Sequence, residues 1–95
     1  MRVVWQPAAL QDREEAIDFI AADDPGAAFR LDLLFSEAAS RLGTFPRLGR
    51  PGVIPGTREF IPHPSYRIVY EIGDDEISIL ALIHTRRQWP PVNED

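Results

Sequence analysis

The sequence predicts an α+β domain: an N-terminal strand, an antiparallel helical hairpin, then a three-stranded antiparallel sheet packed on the helices. Three observations predict it. Residues 2–5, Arg2-Val3-Val4-Trp5, are short and β-branched. Residues 7–43 carry apolar side chains at helical spacing, with one Pro-Gly interruption. Residues 57–86 hold three β-branched and aromatic runs separated by turn residues.

The elements follow in order. Pro7 suits the first position of a helix, where its missing N–H costs nothing. Leu10, Ile17, Ile20 and Ala21 then mark an apolar face, with Asp12, Arg13, Glu14, Glu15 and Asp18 on the other. Asp23-Asp24-Pro25-Gly26 breaks the helix and starts the next. Asp24 is placed to cap orphan N–H groups, with Pro25 at the first helical position. Leu31, Leu34, Phe35, Ala38 and Leu42 form one continuous stripe, and Gly43 is expected to stop it. So short a break between two helices predicts a hairpin.

Residues 44–56, TFPRLGRPGVIPG, hold three prolines and three glycines, so no regular element is expected there. A long ordered loop carrying Arg47 and Arg50 is the expectation, and such loops are often functional. Strands are predicted at 57–61, 66–72 and 76–86, with Gly73-Asp74-Asp75 as a tight hairpin. If Ile72 faces Ile77, then Tyr66, Ile68, Tyr70 and Ile72 share a buried face with Ile77, Ile79, Ala81 and Ile83. The opposite face would then gather Arg58, Arg67, His84 and Arg86 around Phe60, Val69, Leu80 and Leu82. A one-residue slip would scatter that set.

The 95 residues suit one domain, 1–95, with 44% hydrophobic and 26% charged residues. No cysteine is present, so disulfides and thiolate metal sites are excluded. The N-terminus lacks the apolar core of a signal peptide, and no run approaches the roughly 20 apolar residues of a membrane span. A soluble domain with no membrane partner is expected, and the absence of cysteine permits a reducing cytoplasm. The net charge of −5 argues against a general nucleic-acid coat. Its distribution is uneven. Residues 1–40 set three arginines against eight acids, whereas residues 41–70 set five arginines against Glu59 alone. All ten basic residues are arginine, the side chain suited to bidentate recognition of carboxylate or phosphate.

Arginines and a histidine on one surface are the groups that metal-free RNA cleavage through the 2′-hydroxyl requires. Arg67, His84 and Arg86 are the catalytic candidates if the chain is a nuclease. Arg47, Arg50, Arg58, Arg87 and Trp89 are the candidates for target binding. The plainer reading is a strand histidine with a satisfied ring and solvated rim charges. His63, between Pro62 and Pro64, reads as a turn residue. Trp5 and Trp89 read as packing residues ahead of base-stacking platforms. No glycine-rich phosphate loop, metal-ligand spacing or nucleophile elbow is present, so no cofactor is implied.

Four segments, in this order and spacing, carry a resemblance: Asp23-Asp24-Pro25-Gly26-Ala27-Ala28, FPRLGRPG at 45–52, PGTREF at 55–60 with YRIVYEI at 66–72, and LIHTRRQWP at 82–90. Over nearly its whole length the chain resembles the RelE/ParE superfamily of type II toxin–antitoxin toxins. The resemblance implies a cytoplasmic bacterial toxin of a plasmid-stabilisation module. A cognate antitoxin would neutralise it by wrapping an order-on-binding segment along apolar grooves beside the helices and sheet. RelE-like members are ribosome-dependent mRNA endonucleases. Arg67, and Arg86 or Arg87, match arginines of that branch, and His84 stands where some members have a catalytic histidine. The aromatic hydroxyl expected near the C-terminus is missing, because Trp89 and Pro90 occupy that stretch. ParE-like members are described as DNA gyrase poisons that act by binding. PGTRE, YRIVYEI and a histidine followed by arginine and Trp-Pro favour this branch. A degenerate toxin that only binds its antitoxin is the third outcome the resemblance leaves open.

Overall fold

In a computed structural model, which describes residues 1–91, the chain forms two helices on a five-stranded mixed sheet. The elements are β1 (Arg2–Trp5), α1 (Pro7–Ala21), α2 (Pro25–Thr44), β2 (Arg50–Pro51), β3 (Arg58–His63), β4 (Tyr66–Ile72) and β5 (Glu76–His84). The spatial order is β1-β5-β4-β3-β2. β1 runs parallel to β5, pairing Arg2 with Glu76 through Trp5 with Ile79, and the other neighbours are antiparallel. The sheet therefore exceeds the three strands expected. β1 is recruited by a long-range parallel pairing, and the Pro/Gly loop contributes the two-residue β2.

The hairpin follows from local chemistry. Pro7 is at the helix start, and Pro25 follows an Asp24 carboxylate that accepts the Ala27 amide at 3.0 Å. Such a cap is worth about 1 kcal/mol. Gly43 does not end α2, which runs on to Thr44. Its role is close approach: the Met1 ammonium donates to the Gly43 carbonyl at 2.8 Å, and a Cβ there would sit 2.8 Å from the Met1 carbonyl oxygen.

The apolar stripe of α2 is buried as expected. Phe35 and Leu42 are fully covered and Ala38 nearly so, while Leu31 and Leu34 pack at the margin. The buried face of α1 departs from the expectation in its first turn, while Ile17 packs against the core as expected. Ala9 is buried and Leu10 is exposed. Arg13 is not a solvent charge. Its Nε donates to the Asp32 carboxylate at 2.9 Å, its Nη2 donates to the Ser36 hydroxyl at 2.7 Å, and its guanidinium lies 4.8 Å from the Trp5 ring centre. It clips the two helices together over the core.

The sheet meets the helices through Ile68, Tyr70, Ile77 and Ile79, all with no exposure, with Tyr66 and Leu82 nearly so. Here the expected register fails halfway. Ile72 opposes Ile77 and Tyr70 opposes Ile79, but Val69 then opposes Ala81 and Ile68 opposes Leu82. Leu80 is the extra residue of a β-bulge. Past it, Leu82 and His84 turn toward the helices, and Ala81 and Ile83 turn away.

Candidate functional site

The bulge disperses the constellation that the even register assembled. Arg67 opposes Ile83, and His84 opposes Tyr66. Because successive strand residues alternate faces, Arg67 and His84 lie on opposite faces of the sheet. Arg58 pairs with Tyr70, and Phe60 with Ile68, so both belong to the helix side and not to the Arg67 side. The face of Arg67 is not open either: Val69, Ile83 and Glu59 are buried. Arg67 faces the Glu59 carboxylate, with its Nε 3.5 Å from Oε1. The expected single surface of Arg58, Arg67, His84 and Arg86 is therefore corrected. Arg86 is exposed in the turn after β5.

Arg58 is committed to the loop. Its Nε donates to the Gly49 carbonyl at 2.9 Å, and Nη2 also reaches the Arg47 carbonyl at 3.3 Å. The Tyr70 hydroxyl accepts the Gly49 amide at 2.9 Å and donates to the Pro46 carbonyl at 2.7 Å. The Glu59 carboxylate accepts the Val53 amide at 3.0 Å. Three side chains of β3 and β4 thus satisfy the backbone of a loop that builds almost no ladder of its own. Glycine is required at two places, since a Cβ on Gly49 would lie 2.7 Å from the Glu59 carbonyl oxygen, and one on Gly52 2.4 Å from the Thr57 hydroxyl. On this braced loop Arg47, Arg50, Phe45, Val53 and Ile54 face outward.

Across the end of the sheet, His63 pairs with Tyr66 and Tyr66 with His84. The three side chains form one cross-strand row on the helix side, with the Tyr66 ring 5.9 Å from the His63 ring and 5.4 Å from the His84 ring. The amide of Ser65 donates to His63 Nδ1 at 3.0 Å, and that of Arg86 to His84 Nδ1 at 3.1 Å. Each neutral imidazole therefore carries its proton on Nε2. The Tyr66 hydroxyl has no hydrogen bond among the described residues, and burial pushes its ionisation above the ordinary tyrosine value. The row lines a groove of about 410 Å³ whose other wall is Phe19, Ile20, Ala27, Arg30, Leu31 and Leu34.

Sequence reasoning missed Tyr66 and Arg30 and assigned His63 to the turn alone. The signal was the placement of the two histidines on either side of Tyr66, legible only with the register shifts of both strand pairs in place. Arg87 is exposed beside His84, Asp12 and Glu15, and Trp89 is half-buried with its indole N–H covered. No group of three or more metal-ligating side chains occurs among the described residues, and no helix there is long and apolar enough to cross a membrane.

Comparison with known proteins gives a consistent result. The family described as the ParE toxin of type II toxin–antitoxin system, parDE, matches residues 3–89. The toxin-like protein Y4kP of Sinorhizobium fredii is 38% identical over 92 residues, covering 96% of this chain and 95% of the relative. Toxin RelE2 of Caulobacter vibrioides is 34% identical over 86 residues, covering 90% and 97%. Among solved structures, the chromosomal ParDE system of P. aeruginosa superposes with a TM-score of 0.78 at 22% identity, over 88% of this chain and 95% of that one. A YoeB/ParE toxin from Agrobacterium tumefaciens reaches a TM-score of 0.64 at 16% identity, over 88% and 98%. These two likenesses are of fold.

Proposed function

This chain belongs to the ParE toxin family of type II toxin–antitoxin systems, and on that premise we propose that it arrests growth by binding and poisoning DNA gyrase in the cytoplasm until a cognate antitoxin sequesters it. One observation carries the choice of a binding mechanism: Arg67 and His84 lie on opposite faces of the sheet, and Arg58 is spent on loop carbonyls. General acid–base work and phosphate clamping need their groups within reach of one reacting phosphodiester, and Arg58, Arg67 and His84 are not so placed. Docking needs a rigid patch of apolar and arginine side chains. The braced loop supplies one, with Phe45, Val53 and Ile54 beside Arg47 and Arg50.

The test adds the purified chain to gyrase and relaxed plasmid. Lost supercoiling, or DNA trapped in its cleaved form, is the expected result. Unaffected supercoiling at large molar excess overturns the gyrase assignment.

A ribosome-dependent mRNA endonuclease is the second reading, favoured by the Tyr66 hydroxyl next to His84. An aromatic hydroxyl and an imidazole are thereby restored to one place, with Arg86 at the strand exit. The name of the relative Toxin RelE2 points the same way. Primer extension on a translating extract separates the two: new mRNA ends confined to translated message establish cleavage, and intact message in the presence of toxic protein removes it.

A further inference from the structure

The row His63–Tyr66–His84 ends in donors that the fold leaves unused. Both Nδ1 atoms are occupied as acceptors, so both Nε2 atoms carry protons without a partner among the described residues. The Tyr66 hydroxyl is likewise free to donate, and Arg30 adds a fixed cation on the helix wall. The groove these groups line contains no acidic side chain. That is exceptional for this helix pair. The two neighbouring grooves on α1 are lined by Glu14 and Asp18, one with Asp32 and the other with Glu15.

The geometry points to a carboxylate-reading pocket: the groove takes an acidic side chain of the antitoxin segment on the donors that line it, Arg30 and the imidazoles of His63 and His84, with an apolar neighbour seated against Phe19, Leu31 and Leu34. The inference rests on the antitoxin reading given above, which it deepens. Charge complementarity selects the ligand, since the lining of this groove holds donors and no acid. The size of the charge selects a carboxylate over nucleic acid. A polyphosphate chain running on past the groove would meet Asp12 and Glu15, which lie outside its lining. A single carboxylate fits within the lining, where its charged and polar partners are the Arg30 guanidinium and imidazole N–H groups. Phe19 is 78% exposed at the mouth, an apolar surface that a partner residue would cover.

The test uses the folded chain and two synthetic amphipathic peptides that differ only in one glutamate or glutamine near a leucine. Imidazole nitrogen NMR signals report binding. The glutamate peptide is expected to shift at least one of the two histidines and to bind about tenfold more tightly than the glutamine peptide, the effect of one charge-assisted hydrogen bond. Arg30→Gln, and His63→Gln or His84→Gln for the histidine that shifts, should each remove that discrimination while leaving the fold intact by amide spectra. Equal binding of the two peptides, binding of neither, or displacement by a short RNA as readily as by the glutamate peptide would each overturn the inference. A second arm changes the acids of the cognate antitoxin to amides one at a time. One of them should weaken the complex with the wild-type chain and have no further effect on Arg30→Gln, whereas no coupled acid in an intact complex counts against the pocket. An antitoxin that fails to bind the wild-type chain removes the antitoxin reading instead, and the peptides still decide the groove.

Discussion

The amide of Gly49 donates to the hydroxyl of Tyr70 at 2.9 Å, across 21 residues of sequence and from a glycine that cannot be replaced without collision. The same hydroxyl donates onward to Pro46, so a single oxygen of the central sheet organises the loop between α2 and β3. Tyr70→Phe keeps the ring and strands a buried N–H. A loss of about 1–3 kcal/mol is expected in denaturant unfolding, together with faster amide exchange at Gly49. An unchanged midpoint would mean that Arg58 and Glu59 suffice to hold the loop.

Arg67 and Glu59 form a mostly buried pair on the face away from the helices. Arg67→Ala leaves the Glu59 carboxylate without its cation, and a loss of about 1–3 kcal/mol follows. Arg86→Ala and Arg87→Ala, in exposed positions, should each change stability by less than about 0.5 kcal/mol. Adding Glu59→Gln to Arg67→Ala should cost less than the two single changes together. Strict additivity in that cycle would show that the pair is not coupled.

The Asp12 carboxylate accepts the amide of Leu82 at 3.0 Å. β1 pairs with β5 only as far as Ile79, and the Asp12 side chain reaches past that point to cover the open edge. Asp12→Ala should cost about 1–2 kcal/mol and speed exchange of the Leu82 amide, with Asp12→Asn restoring most of both. If Asp12→Ala and the exposed Asp18→Ala prove equally mild in thermal unfolding, the cap is unimportant.

Burial raises the ionisation of Tyr66 above the ordinary value near 10. The sign is fixed by which state holds the proton longer. Below the ordinary value both folded and unfolded chains keep it, and stability is undiminished. Above it the unfolded chain releases the proton first, so stability falls as pH rises through the folded value. Alkaline unfolding should therefore be delayed in Tyr66→Phe, and phenolate absorbance of the wild type should lag behind that of a free tyrosine. Coincident titration curves would contradict the buried environment.

Much of this fold is legible because it is set locally. Pro7, the Asp24-Pro25 cap, the Leu31–Leu42 stripe and the Gly73 hairpin act within a few residues and appear where expected. The site was not legible, for a reason visible in β5. Leu80, Ala81, Leu82 and Ile83 are four apolar residues in a row, so alternation there distinguishes no face, and a bulge changes register without changing pattern. The role of Arg58 was hidden for a second reason. Its partners are backbone carbonyls of a Pro/Gly loop, and backbone groups carry no signature in sequence. The helix-side position of His63 rests on a second irregularity, between Phe60 and His63 in the β3–β4 pairing.

β5 lies between β1 and β4 in the sheet but is the last strand to leave the ribosome. During synthesis β1 has no neighbour to pair with, and α1 and α2 lack most of the apolar surface they will cover. Assembly waits for the two ends of the chain to meet, a high-contact-order step that cannot proceed from one end to the other. A nascent copy of this toxin therefore carries no finished sheet until β5 emerges: β3 and β4 can brace the loop before that, but the groove waits for His84.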